Sequence, residues 1–376
     1  LGARASGVID ERERQLMNAC YSMAIGMSMV DSVVGADFHA RHLLRALNAG
    51  DPARLARALA LEAAHVASMG IENHARAISL VERAESLGRE LGDSHALGLA
   101  LMVRSADALF GADWQRAVAF GDEAVTLLRE RCTNVAWEIA TARRFTFAGL
   151  YYLGEIAELG RRMPEAVADA RARGDLFAES CVRSGSSIVV WLARDDTATA
   201  RRQLEDEARR WGDERFALQH LLALQGLTYV DLYEGRAGDA VARLARNWRR
   251  MERSQLLRMQ LLRVTMVSLR ARALLAAGDI VAAERDVVDL ERESMPSAHG
   301  VAALLRAAIA RHRGDARAAA SGYRASIEVL DRLEMKLLAA AARRRLSELT
   351  GEDHSDAYFS AQGVHRPDAL TAAVVP

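Results

Sequence analysis

The sequence predicts an all-α solenoid of about seven helix pairs with extra terminal helices. Three observations lead there. Apolar residues make up 51% of the chain but aromatics only 5%, with Ala and Leu dominant. Small side chains let helix axes approach closely, which favours helix packed on helix. Only five prolines occur in 376 residues (Pro52, Pro164, Pro296, Pro367 and Pro376), so long stretches are free to be helical. Turn-forming residues recur at a spacing of roughly 41 residues. More than about two-thirds of the chain should be helical, well above the usual third.

The turn residues fall in two interleaved series. Gly70, Gly111, Gly154, Arg194, Gly235, Gly278 and Gly314 stand 36 to 43 residues apart. Between them lie Gly50-Asp51, Gly92-Asp93, Thr133, Gly174-Asp175, Gly212-Asp213, Ser254 and Pro296. One period with two turns describes a repeated helix–turn–helix unit, longer than the ~34-residue tetratricopeptide unit by about two helical turns. The fold is therefore read as a tetratricopeptide-like superhelical solenoid. Glycine suits these places because a helix C-cap takes left-handed backbone geometry. The Asp that often follows caps the next helix through its side-chain oxygen. At Arg194 the glycine is missing, and Asp195 and Asp196 offer the cap. The Arg-Gly-Asp triplets at Arg173 and Arg313 belong to the same series, so capping is preferred over an adhesion motif.

Before the array, Asp10–Val30 and Asp37–Asn48 read as two helices. In Ser94–Phe110, residues Leu99, Met102, Val103, Ala106, Leu109 and Phe110 form a single apolar stripe. Trp114, Ala117, Val118, Gly121, Ala124, Val125 and Leu128 repeat the spacing in the next helix. One pair cannot bury such stripes, whereas stacked neighbours can. Seven stacked pairs would make a curved rod of roughly 60–70 Å. Met335–Leu349 continues as a helix, Gly351-Glu352-Asp353 breaks the pattern, and Ala357–Gln362 and Pro367–Ala373 read as short terminal helices. The chain exceeds a single-core domain. It divides into N-terminal helices over 1–50, the repeat array over 51–350 and C-terminal capping helices over 351–376.

The 50 basic and 50 acidic residues cancel, so nothing suggests the basic excess of a nucleic-acid binder. No apolar run reaches the ~20 residues needed to cross a bilayer, and no signal peptide is visible. The chain starts at Leu1 and is expected to begin partway through a longer, cytoplasmic protein. Cys20, Cys132 and Cys181 are odd in number and far apart, which reads as free thiols. No P-loop, kinase motif set, nucleophile elbow or His-Glu-x-x-His occurs, and the single lysine, Lys336, lies on a helix. No catalytic residue, metal ligand or cofactor site is expected. His39 and His42 share a helix face without further ligands, and His220 reads as a satisfied helix histidine. The Glu205/Asp206 pair sits on a helix surface, and Arg343-Arg344-Arg345 reads as a solvated face. Trp114, Trp137, Trp191, Trp211 and Trp248 read as packing anchors.

Several strings then look familiar. They are Arg131-Cys132-Thr133-Asn134-Val135-Ala136-Trp137-Glu138, Arg173-Gly174-Asp175-Leu176-Phe177-Ala178, Gln219-His220 with Asp231-Leu232-Tyr233, Leu261-Leu262-Arg263 leading to Arg270-Ala271-Arg272-Ala273-Leu274, and Gln362-Gly363-Val364 with Pro367. Together they resemble the C-terminal halves of large bacterial serine/threonine protein kinases, notably of myxobacterial type. There an N-terminal kinase domain and an AAA-like ATPase module precede a tetratricopeptide-like region. The resemblance implies a regulatory arm of a signalling protein and carries over no catalytic residue.

The leading functional expectation is a module that binds a protein or peptide, including other domains of its parent chain. The alternative is a sensor holding a small molecule or peptide in the superhelical groove, which a large apolar pocket with convergent polar groups would favour. The candidate binding residues are four arginines at equivalent steps. Arg143 and Arg183 lie 11 residues before Gly154 and Arg194, and Arg270 and Arg306 lie 8 before Gly278 and Gly314. Such a ladder could grip carboxylates of a partner; alternatively, these arginines pair with nearby glutamates of the chain.

Overall fold

A computed structural model describes residues 9–28, 31–212, 215–351 and 355–376. Leu1, Val30, Asp213, Glu352 and Asp353, named above, lie outside the described residues. The structure is 84% helical, with twenty α-helices and no strand among the described residues. Helices α1 (Glu11–Ser28) and α2 (Ser32–Ala49) precede seven pairs. These are α3 (Pro52–Ser68) with α4 (His74–Leu91), α5 (Ser94–Phe110) with α6 (Trp114–Arg131), and α7 (Ala136–Leu153) with α8 (Ile156–Ala172). The fourth pair has a broken first member, α9 (Leu176–Arg183) plus α10 (Val189–Ala193), followed by α11 (Thr197–Arg210). Then come α12 (Leu218–Tyr233) with α13 (Ala237–Arg253), α14 (Gln260–Ala276) with α15 (Ile280–Glu291), and α16 (Pro296–His312) with α17 (Ala316–Arg332). The last helices are α18 (Lys336–Thr350), α19 (Ala357–Ala361) and α20 (Pro367–Val374).

Turn chemistry sets most of these boundaries. Gly278 and Gly314 take φ of 82° and 78°, a region an L side chain enters only at a cost. The next residue caps the following helix: Asp279 accepts from Ala282 N–H at 3.0 Å, Asp315 from Ala318 at 2.9 Å and Asp175 from Ala178 at 2.9 Å. Both Arg-Gly-Asp triplets are thus turn-and-cap units. At the glycine-free turn, Asp195 itself takes φ 58° and Asp196 caps Thr199. Gly111 departs from the expectation: it stays in right-handed geometry at φ −79°, and Ala112 takes the left-handed position at φ 63°.

The first helix of the fourth pair breaks after α9, which the apolar spacing does not predict. Ser184 leaves helical geometry, Gly185 takes φ 61°, and Gly185–Ile188 forms a 3₁₀ turn. The sequence Ser184-Gly185-Ser186-Ser187 suits this, because serine hydroxyls compete for backbone carbonyls. Ser184 donates to the Ser180 carbonyl at 2.5 Å. A Cβ at Gly185 would come within 2.7 Å of Leu222, so the break also lets α12 lie close.

The chain packs as two compact units: Leu1–Gly111, Arg116–Thr146 and Ser254–Met259 in the first, and Ala112–Gln115, Phe147–Arg253 and Gln260–Pro376 in the second. In the first unit α1 packs on α2, and α3 packs on both α4 and α5. Its α5 is not the single-striped helix the spacing suggests. Gly98, Ser105 and Asp107 are buried as well as the apolar stripe, because α5 has helices on more than one side. Its partner α6 keeps one stripe, with Leu128 packed on Val135 and Ile139.

The second unit repeats this division of labour. Its first helices α12, α14 and α16 are buried along their length and pack on one another, while α13 and α17 bury only one face. Contacts inside this unit also join elements far apart in the chain. Tyr358 Oη donates to the Gly154 carbonyl at 2.6 Å across 204 residues, and His365 N–H donates to the Ala193 carbonyl at 2.8 Å. Lys336 pairs with Glu155 at 2.5 Å, and α20 packs on both α12 and α18. The last helices therefore return to the start of the unit.

Candidate functional site

The four candidate arginines are placed as follows. Arg143 lies on α7, half-buried, in the first unit. Arg183 closes α9 and donates to Glu179 at 2.7 Å and to Gln203 at 2.9 Å. Arg270 donates through Nε to Asp286 at 2.8 Å and through Nη2 to its other oxygen at 2.5 Å. Its guanidinium lies 3.6 Å from the Trp248 ring centre. Arg306 grips Glu291 bidentately at 2.8 and 2.9 Å and reaches Glu284 at 3.0 Å. Its hydrogen bond holds the Glu291 carboxyl below the usual range. Burial instead pushes Asp286 up, against the opposing pull of Arg270. Arg183, Arg270 and Arg306 thus hold carboxylates or amides of the chain itself. Their spacing predicts equivalent helix positions but not what the neighbouring helix offers.

The other sequence candidates resolve into local structure. His220 Nδ1 accepts from Ala217 N–H at 3.1 Å, which leaves Nε2 to donate to the Gly212 carbonyl at 2.7 Å. His39 and His42 are both buried; His39 meets Glu62 at 3.0 Å, and burial drops His42 to about 4. No group of three His, Cys, Asp or Glu that could hold a metal occurs among the described residues. The run Arg343-Arg344-Arg345 is not simply a solvated face. Arg344 pairs with Asp356 at 2.6 Å, Arg345 donates to the Val375 carbonyl at 2.8 Å, and Arg343 pairs with Asp331 at 2.5 Å. Asp206 pairs with Arg209. Trp114 is fully buried and stacks on Tyr152 with centroids 4.4 Å apart, as a packing anchor should.

What the sequence did not single out is a cavity of about 40 Å³ in the second unit. Five elements meet around it: Tyr151 and Tyr152 at the end of α7, Tyr229 on α12, Thr265 and Arg272 on α14, Val301 on α16, and Leu337 and Leu338 on α18. Most of its wall is apolar, and its polar groups converge. Tyr151 Oη and Tyr229 Oη are 2.8 Å apart, and Arg272 Nη1 donates to Tyr229 Oη at 3.0 Å. Thr265 donates its proton to the Leu261 carbonyl at 2.7 Å, so Tyr152 Oη is the donor in its 2.8 Å contact with Thr265 Oγ1. Burial pushes the Tyr152 hydroxyl up to about 12 and the Tyr151 hydroxyl well above its ordinary value, so both stay neutral. Arg272 is only 3% exposed, and its Nε has no hydrogen-bond partner. The nearest sequence signal was the Tyr151-Tyr152 pair beside a turn glycine, which reads equally well as core.

No helix among the described residues is long and apolar enough to cross a membrane. No family model matches the chain, and no curated protein matches it either.

Proposed function

We propose that the chain is a regulatory module that binds protein or peptide surfaces, as the C-terminal arm of a cytoplasmic signalling protein of the kinase and ATPase type. The observation that carries the reading is the set of exposed apolar side chains on α1 and α2, ahead of the seven pairs. Leu16 and Met23 on α1 are 37% and 41% exposed, and Val33 and Leu44 on α2 are 62% and 60% exposed. Spacings of seven and eleven residues put each pair on one stripe of its helix. In a repeat array such a stripe is where a further helix packs, in a partner or in another domain of a parent chain. The test is pull-down with the purified chain followed by mass spectrometry. Val33→Glu with Leu44→Glu should abolish specific capture while leaving the helical circular dichroism unchanged. If only charge reversal of Arg143 and Arg183 abolishes capture, recognition runs through the arginines instead. The same preparation should not turn over ATP; saturable hydrolysis abolished by a point substitution in this chain would count against the reading.

A second reading, a sensor that holds a small molecule, has one observation on its side: the cavity around Arg272, small at about 40 Å³ but apolar in its walls with converging polar groups.

A further inference from the structure

The cavity of the second unit has an excess of donors and a shortage of acceptors. Arg272 carries five N–H groups and a full positive charge, and its one hydrogen bond to a described residue is the 3.0 Å contact with Tyr229. No carboxylate among the described residues forms an ion pair with it. The Tyr151–Tyr229 pair has two hydroxyl protons and one mutual bond. Whichever way that bond runs, one proton is left without an acceptor among the described residues. Tyr152 spends its proton on Thr265. A buried cation without a counter-charge destabilises a fold, and replacing it by an apolar side chain of similar volume is often neutral or favourable. An acceptor that carries one negative charge supplies the missing counter-charge and an acceptor for the spare tyrosine proton.

We propose that this cavity binds a small monocarboxylate, whose carboxylate sits on Arg272 and takes the spare tyrosine proton. The proposal rests on the small-molecule reading above and names its ligand class. One guanidinium matches one negative charge and the planar fork of a carboxylate. Leu261, Val264, Val301 and Leu338 line the rest and suit a short alkyl chain. At about 40 Å³ the space suits an acid of roughly two to four carbons. Of its lining residues, Tyr151, Tyr152 and Thr265 are only half-buried.

The test is calorimetric titration of the full chain with sodium acetate, propionate and butyrate, against propionamide and inorganic phosphate. A ligand of five heavy atoms binds no tighter than about 3 μM. Saturable binding of propionate but not propionamide or phosphate is expected. Arg272→Met should weaken it by about 100-fold, and Tyr151→Phe by about 5-fold to 10-fold. Without ligand, Arg272→Met should melt at or above the temperature of the parent chain. A much lower melting temperature would make Arg272 a structural residue and overturn the proposal, as would unchanged propionate affinity in that variant. Binding of propionamide or phosphate without carboxylates would overturn the ligand class and leave the small-molecule reading standing. No saturable binding of any of the five would remove both.

Discussion

Arg243 Nε on α13 donates to Asp231 Oδ2 on α12 at 2.8 Å, joining the two helices of one pair through a fully buried carboxylate. The other oxygen of Asp231 accepts from Arg201 at 2.8 Å and from Arg236 at 3.1 Å. Burial pushes this carboxyl up, but the hydrogen bonds and charges of Arg243, Arg201 and Arg236 together outweigh it and hold it below its ordinary value. Asp231→Asn takes the carboxylate from Arg243, leaves Arg201 with Glu234 alone and Arg236 with Glu234 and Asp239, and should cost about 3–5 kcal/mol in urea unfolding. A loss under about 1 kcal/mol would show that the cluster is well solvated. Because the folded value is depressed, the contribution of Asp231 is complete above about pH 3.9 and is lost as pH falls through the folded value.

His42 acts at a milder pH. Burial, then the charges of His39, Arg54 and Arg57, lower it from 6.5 to about 4. Between those values the unfolded chain takes up a proton that the folded chain refuses. Stability therefore falls as pH drops from 6.5 toward about 4 and levels off below. Urea midpoints measured across that range should decline in the parent chain. The decline should be shallower in His42→Gln, and equal slopes would place the acid sensitivity elsewhere.

Two glycines should respond in opposite directions to the same substitution. Gly278 has φ 82° with open space around its would-be Cβ, so Gly278→Ala should cost about 1–2 kcal/mol through backbone strain alone. Gly238 lies inside α13, also with nothing within 4 Å. Because Gly238 is the second residue of its helix, in the first turn, Gly238→Ala should stabilise by less than the interior value, about 0.3–0.5 kcal/mol. Thermal melts of the two variants check both signs.

The short helix α19 is core rather than a fraying end. Phe359 is 0% exposed, whereas Val281 on α15 is 64% exposed. Phe359→Ala should cost about 3–5 kcal/mol, and Val281→Ala should stay within about 0.5 kcal/mol. Equal effects in chemical denaturation would contradict the packing of α19 against its unit.

The sequence by itself determined the helix pairs and their turns, because caps and stripes are local properties. A glycine in left-handed geometry followed by Asp, as at Gly278-Asp279 or Gly314-Asp315, acts through atoms only a few residues apart. The same holds at Asp195-Asp196, where no glycine is present. Even the break at Ser184-Gly185 is written in its serines, although the apolar spacing masks it. Tertiary structure alone decided which helices meet. Arg270 and Arg306 occupy equivalent steps, yet one faces Asp286 and Trp248 and the other faces Glu291 and Glu284. The cavity needs Tyr151, Tyr229 and Arg272 in one place. They belong to three helices far apart in the chain, α7, α12 and α14, and meet only in the folded second unit. Local periodicity carries no information about such contacts, nor about those of Tyr358 and His365 with Gly154 and Ala193, because they depend on how successive pairs pack.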